Sequence, residues 1–174
     1  MRMIRQVNRL CLGMLTVILL FFASCTKEKN PDYVGNWLMY GTQSNGDSVL
    51  QTKVVLTLNA DNFAYLMKVK NNSTGVWIDY IGQKGNLKVT GDSFTVHFTF
   101  LGISALNENY FPTGVIVYLA EGDPGFTTLL NLMGGHNDLK GTYSISGNEL
   151  TQKIDSTADR DTTDPGETMI LTRS

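Results

Sequence analysis

Two serines of this chain stand in a setting that can support nucleophilic chemistry, the triplet Gly-Asp-Ser, which occurs at 46–48 and 91–93. A serine becomes a nucleophile when a neighbouring base, most often a histidine held by a carboxylate, takes its proton. Neither triplet is followed by an Asp-x-x-His motif toward the end of the sequence. The pair Gly91-Asp92 instead separates two strand-like runs, as in a hairpin. We therefore interpret both triplets as turns and predict that the protein is not an enzyme.

The other residues of interest are two histidines and a run of acids, which are residue types that bind metal ions. His97 shares a strand face with threonines, and His136 lies in a glycine-rich loop with one acid nearby. A zinc site needs three or four ligands. The acidic stretch 155–167 has Arg160 and Gly166 where a calcium loop needs its glycine and its last glutamate. We predict no metal site and no cofactor, and we interpret the stretch as a solvated loop.

The segments that carry these residues have the pattern of short β-strands from Tyr33 onward. Apolar and polar residues alternate with period two, and Gly, Asn and Asp separate the runs. Gly91-Asp92 and Gly147-Asn148 are two-residue hairpin signals. The predicted strands are Lys53–Leu58, Phe63–Lys70, Gly75–Ile81, Leu87–Thr90, Ser93–Phe100, Tyr143–Ser146, Glu149–Ile154 and Met169–Arg173.

Residues 101–137 are the least regular part of the chain. Gly114–Ala120 is a candidate strand, and Phe126–Met133 is either a strand or a short helix. Short strands joined by tight turns, without a sustained helical period, predict an all-β antiparallel meander. Such a meander closes into a barrel or folds as a sandwich.

Large apolar side chains gather on single faces of the predicted strands. They suit a ligand pocket because aromatic rings and Met offer wide apolar contact, and they suit a filled core equally well. The run around Trp77 is apolar on both faces, so the pattern does not show which of its side chains face the interior. The candidate ligand-binding residues are Tyr65, Met67, Trp77, Tyr80, Phe94, Phe98 and Phe100.

The N-terminus has the pattern of an export signal. Three arginines precede an apolar run over residues 10–23, which is short for a membrane-spanning helix, and Ala23-Ser24-Cys25 follows. This ending resembles the lipobox of bacterial lipoproteins. The resemblance implies a signal peptide over 1–24, a lipidated Cys25 with a polar tether to residue 32, and a folded domain over 33–174. Thr26 after the cysteine favours the outer membrane of the cell envelope.

The composition of the mature chain excludes several functions. Removal of the signal peptide takes away three Arg and moves the net charge from −2 to −5. An acidic domain without a basic cluster is not expected to bind nucleic acid, which requires Lys and Arg at phosphates. Cys11 leaves with the signal peptide and Cys25 carries lipid, so we expect neither an internal disulfide nor thiol chemistry.

Three segments resemble the small lipocalin-like (calycin-like) lipoproteins of Bacteroidetes. Gly35-Asn36-Trp37 is similar to the Gly-x-Trp that opens their barrel, residues 56–63 are similar to their second hairpin, and residues 141–150 with 169–173 are similar to their closing strands. The resemblance implies a lipocalin-like β-barrel of about 8–10 strands. It also implies that Arg173 stacks on Trp37 at the closed end of the barrel.

The residues and the resemblance together predict an envelope-anchored binding protein. We expect a monomer, held on the membrane by lipid at Cys25, whose barrel binds a small hydrophobic or amphipathic ligand. The alternative is a non-catalytic interaction protein, an inhibitor or accessory subunit, whose loops contact another envelope component and whose barrel core is solid. The size of any internal cavity distinguishes the two, because a barrel of about eight strands is either filled by side chains or holds one small ligand.

Overall fold

The structure, a computed structural model, describes residues 31–45, 48–108, 111–155 and 167–174. Cys25, the predicted signal peptide and most of the acidic stretch lie outside the described residues. Residues Asp32–Ser174 form one compact unit, and every strand given below lies within it.

The described residues are folded almost entirely as β-strands, joined by short turns. The elements in chain order are β1 (Gly35–Asn45), β2 (Ser48–Leu58), β3 (Asn62–Lys70), β4 (Trp77–Thr90), β5 (Ser93–Leu106), β6 (Pro112–Ala120), α1 (Phe126–Leu132), β7 (Asp138–Ser146), β8 (Glu149–Asp155) and β9 (Thr168–Arg173). No helix of the described residues is long and apolar enough to cross a membrane.

Eight of these strands close into an antiparallel barrel, which confirms the predicted fold class. The ring runs β1–β2–β3–β4–β5–β7–β8–β9 and returns to β1. The hairpin turns at 91–92 and 147–148 join neighbouring strands, as the sequence predicts. Gly91 and Gly147 have φ of 63° and 59°, a left-handed conformation that glycine adopts without steric cost.

The long strand β5 has two different neighbours along one of its edges. Its first part, Ser93–His97, pairs with β7 inside the ring, and its second part, from Phe100 to Leu106, pairs with β6. Residues 93–103 of β5 pair with β4 on its other edge. Strand β6 is therefore an additional strand outside the closed ring, and the chain returns from it to the barrel through α1.

Strand β4 joins two runs that the sequence separates. Most of the predicted strand Gly75–Ile81, from Trp77 onward, and the predicted strand Leu87–Thr90 are parts of one strand. Gly82 and Gly85 continue the ladder between them. Side-chain atoms above Gly82 and mainly backbone atoms above Gly85, all from other strands, occupy the space that a Cβ would need. A Cβ at Gly82 would lie 2.3 Å from the Tyr118 hydroxyl oxygen. The glycines therefore mark close packing here and not a break in the strand.

A β-bulge in β5 reverses the face of Phe100. The β4–β5 register passes from Gly85 opposite Phe98 to Lys84 opposite Phe100, which leaves Thr99 as an extra residue. The inward alternation of Phe94 and Phe98 therefore continues at Leu101, which is 1% exposed, while Phe100 is 43% exposed. The prediction that Phe100 shares the inward face is wrong, because an extra residue shifts the period of two by one position.

The barrel is sealed at one end by Trp37, which is fully buried. Arg173 pairs with Trp37 across the β1–β9 seam, and its guanidinium carbon lies 4.6 Å from the centre of the indole ring. The indole Nε1 donates a hydrogen bond to the carbonyl of Tyr33 at 2.8 Å. The guanidinium also donates to the carbonyl of Asp32. The contact that the resemblance implies between Arg173 and Trp37 is thus present in the structure.

A candidate ligand-binding cavity

The barrel contains a cavity of about 390 Å³ that is partly open to solvent. Its wall comes from β2, β3, β4, β5, β7, β8 and β9, and the end of α1 lies over it. The lining is mostly apolar, with three uncharged polar side chains among the described residues. The lining residues are Leu56, Leu58, Phe63, Tyr65, Ile81, Gln83, Leu87, Phe94, Val96, Phe98, Leu132, Met133, Leu139, Gln152, Ile154 and Met169.

Three of the seven candidate ligand-binding residues line this cavity, namely Tyr65, Phe94 and Phe98. Phe98 makes an edge-to-face contact with the ring of Phe63 at 5.6 Å between centroids. The inward alternation of β3 and of the first part of β5 therefore predicts these positions correctly.

The other four candidates lie elsewhere in the structure. Met67 is half-buried against the core without reaching the cavity, and Phe100 faces outward after the bulge. Tyr80 is the extra residue of a second bulge, because Met67 pairs with Ile81 and Lys68 pairs with Asp79. Trp77 lies opposite Lys70, whose ammonium is 5.8 Å from the indole ring. These residues are not part of the candidate site.

Several lining residues were not among the sequence candidates although a signal for them exists. Leu56 and Leu58 alternate with polar residues along β2, and Gln152 and Ile154 alternate along β8. The candidates were chosen among aromatic residues and Met, so the aliphatic and amide side chains on the same faces were not included. Leu132, by contrast, has no comparable signal, because its place depends on how the segment after β6 folds back.

We call residues 121–137, which connect β6 to β7, the lid. Its helix α1 buries Phe126 and Leu129 against the barrel, while Leu132 at the cavity mouth is 79% exposed. A smaller hollow of about 70 Å³ lies between the lid and the wall, lined in part by His136 and Leu130. The lid thus borders the cavity mouth and has few buried side chains, which is typical of a segment that opens locally at low free-energy cost.

One histidine ties both ends of the lid to the barrel. The His97 Nε2 atom lies 3.0 Å from a carboxylate oxygen of Glu121, and its Nδ1 atom lies 2.8 Å from a carboxylate oxygen of Asp138. Asn137 donates a hydrogen bond from Nδ2 to the other oxygen of Glu121 at 2.7 Å. We call His97, Glu121, Asn137 and Asp138 the His97 clasp. Both ring nitrogens are occupied, so no lone pair of this histidine is left for a metal ion.

The clasp favours the protonated form of His97. Its hydrogen bond to Glu121, then its hydrogen bond to Asp138, raise the pKa of the imidazole above its ordinary value. Both carboxylates accept, so a ring that donates from both nitrogens satisfies them best. The side chain is 35% exposed, and solvent therefore weakens the two charge interactions.

We expect stability to fall with rising pH because of this clasp. His97 has a higher pKa in the folded protein than the value of about 6.5 in the unfolded chain. Its stabilising contribution is complete below about pH 6.5 and is lost as the pH rises through the pKa of the folded state. The urea midpoint of the wild type should therefore decrease as the pH rises above about 6.5. The urea midpoint of the His97→Gln variant should depend less on pH.

The matched control is His136→Gln, which leaves all four residues of the clasp in place. The urea midpoint of this variant should decrease with rising pH as much as that of the wild type. If His97→Gln and the wild type have the same dependence of the midpoint on pH, the clasp does not contribute to stability through its proton.

No family model, curated protein or solved structure matches this chain. Among the described residues, no group of three or more His, Cys, Asp or Glu side chains could hold a metal ion.

Proposed function

We propose that this protein is a non-catalytic binding protein that holds a small hydrophobic or amphipathic molecule inside its barrel. One observation carries the proposal, the apolar cavity of about 390 Å³ within a closed ring of strands. This volume lies above roughly 300 Å³, the lower end for ligand pockets. A barrel filled by its own side chains would leave no such space.

The arrangement of the lid supports the same function. A ligand in the cavity would be surrounded on its sides by seven strands and would contact Leu132 and Met133 at the mouth. Burial of most of a ligand's surface is typical of small-molecule sites. Exchange with solvent would need only a displacement of the lid, while the barrel wall stays intact.

The proposal predicts that an apolar probe binds saturably and that its binding requires the empty volume of the cavity. We would titrate the chain from Thr26 onward, which contains every strand of the barrel, with the fluorescent apolar probe N-phenylnaphthylamine. Val96 lines the cavity, and Val96→Trp should weaken probe binding at least about ten-fold because the indole fills the volume that the probe needs. Mass spectrometry of an organic extract of the protein would identify a ligand that co-purifies.

The matched control is Thr95→Trp, since Thr95 is next to Val96 on β5 and does not line the cavity. It should bind the probe like the wild type. If Val96→Trp folds and binds equally well, the probe lies elsewhere. If the wild type binds no probe and carries no extractable compound, the interaction-protein alternative replaces the binding function.

We also propose that the protein is a lipoprotein of the cell envelope, anchored through Cys25. The support is the sequence alone, with its arginines, short apolar run and Ala23-Ser24-Cys25. The wild type should incorporate labelled palmitate in its host and Cys25→Ala should not. Absence of label from the wild type would contradict the anchor without affecting the barrel's proposed function.

A further inference from the structure

The cavity contains hydrogen-bonding groups but no charge. Tyr65, Gln83 and Gln152 line it, and none of the described residues in its wall is Asp, Glu, Lys, Arg or His. An apolar wall with a few placed polar groups selects a ligand by the chemistry of its head group. These three side chains therefore indicate which kind of ligand fits.

The polar side chains lie on two sides of the cavity. Tyr65 and Gln83 are directly opposite each other in the β3–β4 register, which places their Cβ atoms within about 5.5 Å. Gln152 is on β8, and three strands separate β8 from β3 in each direction around the ring. Gln152 therefore belongs to the wall that faces Tyr65.

The described residues use little of the hydrogen-bonding capacity of these three side chains. Gln83 donates to the sulfur of Met133 at 3.5 Å, a weak acceptor. The structure records no hydrogen bond from the Tyr65 hydroxyl or the Gln152 side-chain amide to another described residue, although Gln152 is only 7% exposed. These polar atoms are accessible from the cavity, so a ligand that supplies a hydrogen-bond partner can take the place of water beside them.

The same environment disfavours an ion. Burial raises the pKa of the Tyr65 phenol above its ordinary value, since desolvation penalises its charged form. A carboxylate or ammonium group in this cavity would lose its hydration in the same way and would find no opposite charge among the described lining residues.

We infer that the cavity selects a neutral amphipathic molecule, an apolar chain or ring with a hydroxyl, carbonyl or amide head that hydrogen-bonds to Tyr65 and Gln152. This inference rests on the proposed function, because it assigns the ligand class of the same cavity. It excludes ionised fatty acids and alkylammonium ions as preferred ligands.

The test is displacement of N-phenylnaphthylamine by three molecules with the same alkyl chain: dodecanol, dodecanoate and dodecylammonium. At about pH 8 the second is an anion and the third a cation. Dodecanol should displace the probe at a concentration at least about ten-fold lower than either ion. Gln152→Leu and Tyr65→Phe should each weaken dodecanol binding about five-fold, after the dissociation constant of the probe has been measured separately for each variant. The exposed Gln51→Leu is the matched control and should have no effect.

The outcomes separate the two proposals. If dodecanoate or dodecylammonium binds as tightly as dodecanol, or if both lining variants leave dodecanol binding unchanged, the ligand class is overturned and the binding function stands. If the probe itself does not bind to the wild type, the binding function and the ligand class are both overturned.

Discussion

Replacement of Trp37 by alanine is expected to lower the free energy of unfolding by about 3–5 kcal/mol, the range for truncation of a buried aromatic residue. The side chain is fully buried, and its loss leaves a cavity beneath the β1–β9 seam. It also removes the partner of the Arg173 guanidinium and the hydrogen bond to the Tyr33 carbonyl. Urea denaturation monitored by far-ultraviolet circular dichroism measures the change.

Trp77→Ala is the matched control for this prediction. Trp77 is also a strand tryptophan with a nearby cation, Lys70, but it is only half-buried and lies outside the barrel core. Its truncation should cost about 1 kcal/mol, in the range of cation–π and aromatic contacts at exposed sites. If the two variants lower the free energy of unfolding equally, the buried position of Trp37 does not contribute more to stability than the half-buried position of Trp77.

The second large effect is expected from Gly85→Ala, which should destabilise the protein by about 3 kcal/mol or more. A Cβ at this position would lie 1.9 Å from the carbonyl oxygen of His97 and 3.0 Å from the ring of Phe63. The carbonyl belongs to the backbone of β5, so it cannot turn aside as a side chain can. The strands would have to separate next to the bulge at Thr99, which is the costly form of overpacking.

Gly41→Ala provides the comparison for Gly85→Ala. Gly41 also lies within a strand, but its nearest neighbour is the hydroxyl of Thr52 at 3.0 Å, and that side chain can rotate. We expect a change below about 1 kcal/mol in the same urea titration. A Gly85→Ala protein as stable as Gly41→Ala would mean that β4 and β5 approach each other less closely than the structure shows.

The parts of the fold that local chemistry determines were predictable from the sequence. The turns at Gly91-Asp92 and Gly147-Asn148 need left-handed backbone at glycine, and the Gly-Asp and Gly-Asn pairs predict both turns. Alternation along β3 correctly placed Tyr65 in the cavity wall, because a strand without an extra residue keeps a strict period of two.

The parts that depend on distant contacts were not predictable. Nothing in the residues around Thr99 and Tyr80 shows that each is an extra residue in its ladder. The bulge at Thr99 displaces Phe100 from the expected face, and no face was predicted for Tyr80. In the sequence, Gly82 and Gly85 indicate a strand boundary. In the structure they lie within a strand, because Tyr118 and His97 leave no room for a side chain at these positions. The lid likewise takes its place from the clasp, which joins residues far apart in the chain.

The pairing of β1 with β9 determines when this barrel can form. Trp37 and Arg173 lie at opposite ends of the barrel sequence, so their contact closes a very long loop and comes at a high entropic cost. During synthesis the ring stays open until β9 has been made, since β1 has no other partner on that edge among the described strands. Folding should therefore be slow and largely post-translational, as expected for topologies of high contact order. Until then the incomplete sheet exposes its edges to other chains.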